Sequence, residues 1–186
     1  SKKKFGFGQN DCVIGVLGRI SEEKGQFLAV EAVKLLSERY DNIFLAISSR
    51  GKLKKRLKDF IDSLSMEKRV VFLDCTANEF LSNIDILAVP SRKEGFGYSI
   101  IEAFSKEVPV VGYNVGGISE IIQHRENGCL FYNYKPFALA AALDEVLSSK
   151  NLRSRITANA KDNLHYYSSQ RMAQETESIY REVLEL

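Results

Sequence analysis

Apolar and polar positions along the chain follow two alternating rhythms. Short β-branched runs recur at residues 13–17, 43–47, 70–73, 86–89, 109–111 and 129–131; each reads as a strand, and several are apolar throughout, as burial on both faces requires. Between them the apolar residues return at helical spacing. Leu28, Ala32, Leu35 and Leu36 fall at i, i+4, i+7 and i+8, which predicts a helix facing the sheet. Further helices are expected over residues 52–64, 78–82, 97–105 and 119–123, and Pro90 stops the fourth strand. Beyond Lys135 the pattern is helical to the end.

Strand–helix alternation of this kind predicts an α/β protein: a Rossmann-like, doubly wound parallel β-sheet of about six strands flanked by helices, with a helical C-terminal segment. Ligands of such sheets bind at the carboxyl ends of the strands, near the point where the strand order reverses. The loops after strands one, four and five (residues 18–25, 91–97 and 112–117) are therefore the places to look, and they are also the glycine-rich loops. Residues 1–11 are basic and glycine-containing and read as a loose lead-in.

Bulk properties narrow the class. The 186 residues suffice for one ordinary domain, and 45% hydrophobic with 27% charged residues marks a folded protein rather than a disordered one. A net charge of +2 implies no nucleic-acid field. Cys12, Cys75 and Cys129 are odd in number and far apart, so they suggest neither a disulfide framework nor a zinc site but a reducing, cytoplasmic setting. No apolar run reaches membrane-spanning length. Lys52, Lys54, Lys55, Arg56 and Lys58 crowd one helix; the plainer reading is a solvated face, and the alternative is peripheral contact with anionic lipid headgroups.

Three groups of residues carry candidate chemistry. In Gly18-Arg19-Ile20-Ser21-Glu22-Glu23-Lys24-Gly25, an Arg and a Lys share a loop that leaves a strand and opens a helix. Both cations can converge on a diphosphate there, although two solvated charges are the plainer reading of the loop taken alone. In Glu94-Gly95-Phe96-Gly97-Tyr98-Ser99-Ile100-Ile101-Glu102, one carboxylate stands before a glycine-flanked turn and the other on the first turns of a helix. At about 100° per residue, Ile100, Ile101, Ala103 and Phe104 face the sheet and Glu102 faces away with Tyr98 and Ser99. Free N–H groups at Gly97, Tyr98 and Ser99 would meet an anion. The dinucleotide fingerprint is absent, because Ile100 replaces its third glycine. Last, Gly116-Gly117, followed by Glu120, permits close backbone approach to a ligand, or is a plain turn. His124 and His165 lack partners at metal-ligand spacing.

Together these residues resemble the C-terminal, donor-binding half of the retaining GT-B glycosyltransferases, the glycosyl transferases group 1 family. The matching text is Gly18-Arg19…Lys24-Gly25, Pro90-Ser91-Arg92-Lys93-Glu94-Gly95-Phe96-Gly97…Glu102-Ala103, Pro109-Val110-Val111, Gly116-Gly117-Ile118-Ser119-Glu120-Ile121-Ile122 and Asn127-Gly128. The resemblance implies one half of a GT-B fold, with residues 12–167 as the nucleotide-sugar-binding domain and 168–186 as a helix returning toward an N-terminal domain.

It also implies roles. Arg19 and Lys24 would grip the donor diphosphate, Glu94 the sugar hydroxyls and Glu102 the ribose. Gly18, Gly95, Gly116, Gly117 and the amides of Phe96, Gly97, Tyr98 and Ser99 would complete the donor site, with Arg19, Lys24 and Glu94 as the catalytic set. The implied activity is retaining transfer of a hexose-type sugar from a nucleoside-diphosphate sugar to a cell-envelope or exopolysaccharide glycan or lipid acceptor. No cofactor and no divalent metal are implied, in keeping with the lack of any Asp-x-Asp pair. The loop Ser48-Ser49-Arg50-Gly51 and the Asp74-Cys75 pair depart from the family's glycine pattern near the base pocket, so the base is left open.

The family's N-terminal domain has no counterpart here, so the chain is expected to be inactive alone. Met172, Thr176, Ile179, Tyr180 and Val183 form a stripe that the missing domain or a second copy would cover, which predicts self-association. The rival readings are a GT-B nucleotide-sugar epimerase and a non-catalytic nucleotide-sugar-binding module.

Overall fold

A computed structural model describes residues 2–48 and 50–184. Six strands form one all-parallel sheet: β1 (Cys12–Val16), β2 (Ile43–Ser48), β3 (Val70–Leu73), β4 (Ile86–Val89), β5 (Val110–Tyr113) and β6 (Cys129–Phe131). Their spatial order is β3-β2-β1-β4-β5-β6. The chain therefore winds outward one way from β1, returns, and winds the other way from β4. Ile14 pairs with Leu45 on one side and Ile86 on the other, so the reversal lies between β1 and β4.

Helices cover both faces, as a parallel sheet of apolar strands requires. One layer contains α1 (Gln26–Ser37), α2 (Lys54–Ser63), α6 (Pro136–Ser148) and the inner side of α7 (Lys150–Asp162), packed over Ile14, Val16, Leu45, Ile47 and Val111. The other contains α3 (Ala77–Leu81), α4 (Tyr98–Ser105) and α5 (Gly116–Ile121), packed over Val13, Leu87, Val89 and Val110. The final helix, α8 (Ser169–Leu184), follows a 3-10 turn at Asn163–Tyr167.

Several expectations shift in detail. In α1, Leu28, Ala32 and Leu36 are buried as the spacing predicts, but Leu35 is 42% exposed and Ala29, Val30 and Val33 take its place inward. A helix that packs on the sheet and is also flanked by α6 and α2 in its own layer buries a wider arc than one i, i+4, i+7 stripe defines. The short helix expected at 119–123 begins at Gly116 instead, so the glycine pair opens a helix rather than forming a turn. The lead-in is not loose: Lys2–Phe5 is a 3-10 turn, Phe7 is buried edge-on to Phe44, and the Lys2 ammonium pairs with Asp85.

The all-helical end divides at Ser149, whose extended backbone ends α6 and whose hydroxyl accepts the Leu152 N–H at the start of α7. Arg153 donates to the Val146 and Leu147 carbonyls, satisfying the last turn of α6. On α8, Met172, Ile179, Tyr180 and Val183 are all exposed, and no residue of that helix is buried. Cys12, Cys75 and Cys129 are free thiols, and burial pushes Cys12 and Cys129 up to about 11. Among the described residues, no helix is long and apolar enough to cross a membrane.

Candidate functional site

The crevice where the strand order reverses is flanked by the loops that leave β1 and β4. The first runs along residues 17–25. Gly18 takes a positive φ of 131°, and a 3-10 turn at Glu22–Lys24 ends on Gly25 with φ 73°. Gly25 then caps the start of α1. No other residue fits there: a Cβ on Gly25 would lie 2.1 Å from the Pro90 carbonyl oxygen. Inside this loop sits Gln26, which is completely buried. Its amide donates to the Arg19 carbonyl at 3.1 Å and accepts the Ser21 N–H at 3.4 Å, fixing the backbone that carries both cations.

The second loop runs along residues 90–97. Ser91 is buried, and Arg92 N–H donates to the Glu23 carbonyl at 2.7 Å, tying this loop to the first. Gly97 has φ 76° and caps α4. The amides of Tyr98 and Ser99 open that helix, where no intrahelical acceptor exists. Ile100, Ala103 and Phe104 are buried against the sheet, while Glu102 and Tyr98 face outward, as the periodicity predicts. Phe96 and Tyr98 are exposed neighbours with ring centroids 4.8 Å apart.

The start of α5 forms the floor under this loop. Gly117 N–H donates to the Glu94 carbonyl at 3.1 Å. A Cβ on Gly117 would stand 2.0 Å from the Gly95 carbonyl oxygen, and one on Gly116 would stand 2.7 Å from that of Glu94. The glycine pair is thus explained by close approach to the Glu94–Phe96 backbone. Glu120 lies exposed on the outer side of α5.

The two loops meet at one ion pair. Lys24 Nζ lies 2.6 Å from Glu94 Oε2, with side-chain exposures of 31% and 14%. This is the most shielded of the ion pairs among the described residues. Residues 70 positions apart in sequence are thereby joined at the carboxyl ends of β1 and β4. Arg19, in the loop after β1, and Glu102, on the outer side of α4, have exposed side chains and form no ion pair among the described residues. The arrangement offers two cations, one half-buried carboxylate, one outer carboxylate and a helix N-terminus. That set suits a ligand with a diphosphate and several hydroxyls.

Other singled-out residues fall elsewhere. Arg50 pairs with Asp74 on the surface at 3.4 Å, and Gly51 packs on the Ile20 backbone, so the loop after β2 leans on the loop after β1. Ser49 lies outside the described residues. Arg56 pairs with Glu22, and Lys54 and Lys58 lie over the Phe72 ring, which engages three cations of the α2 cluster within the chain. His124 Nδ1 accepts the Leu130 N–H, a structural use. Among the described residues, no three His, Cys, Asp or Glu side chains gather as metal ligands.

Sequence reasoning missed Gln26 and Tyr134. Gln26 carried a weak signal, as a lone amide opening an apolar helix face. Tyr134, whose hydroxyl donates to the Pro90 carbonyl at 3.0 Å, carried none.

The sequence model of the family described as Glycosyl transferases group 1 matches residues 1–163. An uncharacterized glycosyltransferase of Methanocaldococcus jannaschii is 32% identical over 190 residues, covering 100% of this chain and 48% of the relative. The chain spans about half the length of the curated relatives it matches. Two solved structures share the fold at 25% identity. The crystallised C-terminal domain of a glycosyl transferase group 1 family protein (LpcC) from Francisella tularensis has a TM-score of 0.74, covering 90% of this chain and 98% of that one. Anabaena HepE in complex with UDP has a TM-score of 0.80, covering 91% and 49%.

Proposed function

The chain belongs to the glycosyl transferases group 1 family, and from that premise we propose that it binds the nucleoside-diphosphate sugar donor of a retaining hexosyltransferase whose acceptor is a glycan or lipid. The observation that carries this reading is the shielded Lys24–Glu94 pair, at the strand reversal and beside the N-terminus of α4. It brings one cation for phosphate and one carboxylate for hydroxyls into a single contact. HepE, similar at 25% identity, holds UDP, which makes UDP the first nucleotide to test.

In this reading Arg19 and Lys24 hold the diphosphate and stabilise the negative charge that grows on it as the glycosidic bond breaks. The sugar carbon then bears oxocarbenium-like positive charge, and no proton is needed at the leaving group. Glu94 orients the sugar through its hydroxyls, and Glu102, on the outer face of α4, takes the ribose. The amides of Phe96, Gly97, Tyr98 and Ser99 serve the sugar and phosphates, with Gly116 and Gly117 holding that backbone in place. Acceptor binding belongs to a second domain. Because transfer needs a closed cleft, this chain should bind the donor but turn over little of it; robust transfer by the chain alone would contradict that.

Thermal unfolding with UDP, GDP, ADP and their hexose conjugates tests the reading. The matching nucleotide should stabilise the chain by about 2.7 kcal/mol at a hundredfold excess over its dissociation constant, with the sugar conjugate more effective than the bare nucleotide. No shift with any of the three nucleotides would overturn it.

A further inference from the structure

Tyr134 follows β6, yet its hydroxyl donates to the carbonyl of Pro90, which follows β4 two strands away. An aromatic chain makes that reach possible. The Tyr134 ring stands edge-on to Tyr113 at 5.0 Å, and Tyr113 meets Phe131 at 5.1 Å, so three rings cross the carboxyl ends of β5 and β6. On the other side the Arg92 guanidinium lies over the Tyr134 ring, 4.5 Å from its centroid. The Arg92 N–H is the group that donates to Glu23. Gly25 fills the remaining angle, since a Cβ there would lie 2.8 Å from the Tyr134 hydroxyl as well as against Pro90. Residue 134 therefore touches the backbone of both loops that meet at Lys24 and Glu94.

We propose that Tyr134 is a positioning residue for the donor site, setting the register between the Lys24 loop and the Glu94 loop through Pro90, Gly25 and Arg92. The proposal rests on the donor-binding reading above. Burial pushes the Tyr134 phenol up against the opposing pull of Arg92, so the hydroxyl remains a donor at neutral pH. A cleft of about 310 Å³, bordered by Glu22, Phe27, Glu31 and Lys135, runs along the outer side of Tyr134 and Arg92. Packing does not press these two residues inward from that side, so the hydrogen bond and the stacked guanidinium hold the contact. A displacement of about 1 Å between the loops would pull Lys24 off the geometry that a bound diphosphate requires.

Tyr134→Phe tests this, because it keeps the ring and its neighbours and removes one hydrogen bond. Amide exchange at Arg92, measured on the chain without nucleotide, should quicken about tenfold. Affinity for UDP, measured by calorimetry, should weaken about tenfold. In a Lys24→Ala background the same change should cost no further UDP affinity, because the side chain whose register it sets is gone. A merely structural role would lower affinity by the same factor in both backgrounds. Unchanged Arg92 exchange, or an equal fall in both backgrounds, would overturn the proposal. If the unaltered chain binds none of UDP, GDP and ADP, the donor-site reading falls, while Arg92 exchange still decides whether Tyr134 holds the loops together.

Discussion

Glu94→Gln should lower sugar transfer by the complete enzyme about 10²–10³-fold, the scale seen when one preorganised polar contact to the transition state is lost. The side chain keeps its size and its place above Gly97, so the fold is not the cause. What changes is charge. Lys24 loses the carboxylate 2.6 Å away and turns wholly to phosphate. Affinity for UDP should therefore hold or rise, while the added affinity for a UDP-hexose over UDP disappears. Calorimetry with the two ligands on the isolated chain checks the binding half, and steady-state transfer checks the rest. A variant that binds UDP-hexose as tightly as before, with transfer intact, would remove Glu94 from the sugar site.

Gly117→Ala is the second large effect. Its Cβ would stand 2.0 Å from the Gly95 carbonyl oxygen, a contact with backbone that no rotamer relieves. The helix start must drop or the Glu94–Phe96 segment must rise, at a cost of about 1–3 kcal/mol. Either movement breaks the Gly117 N–H to Glu94 carbonyl bond and carries Glu94 away from Lys24. A lower melting temperature and a loss of UDP-hexose affinity are expected together. Gly95→Ala is the control for stability: its Cβ would meet nothing within 4 Å, so unfolding free energy should change by less than about 0.5 kcal/mol. Equal stability in the two variants would contradict the packing described here.

Much of this was legible from residues alone, for physical reasons. Strands covered by helices on both faces are apolar throughout, so the six runs could be read as one parallel sheet, although nothing in them distinguishes the central Ile86-Leu87-Ala88-Val89 from the edge run Cys129-Leu130-Phe131. Glu102 could be placed on the outer side of α4 because Ile100, Ala103 and Phe104 had to face inward. The same logic failed where the decisive contact is distant in sequence. Nothing near Tyr134 announces Pro90, 44 positions earlier. Nothing in residues 1–11 announces that Phe7 will seat on Phe44. The glycine pair at 116–117 could be read as a ligand approach or as a plain turn because its real constraint is the Gly95 carbonyl, which local sequence does not display. Leu35 was misplaced for a different reason: a single-stripe rule was applied to a helix that meets both the sheet and the neighbouring helix α6.

The Lys24–Glu94 contact has a consequence for what the crevice ignores. A lone lysine would attract inorganic phosphate and any other small anion. Here each such anion must first displace a carboxylate that is only 14% exposed, and it has nothing to give that carboxylate in return. A shielded charge stripped of its partner is costly. A sugar nucleotide has phosphate for the lysine and hydroxyls for the glutamate, and so satisfies both ends of the broken pair at once. In the proposed donor site the two residues thus act as mutual decoys, and the crevice favours a molecule that carries both kinds of chemistry.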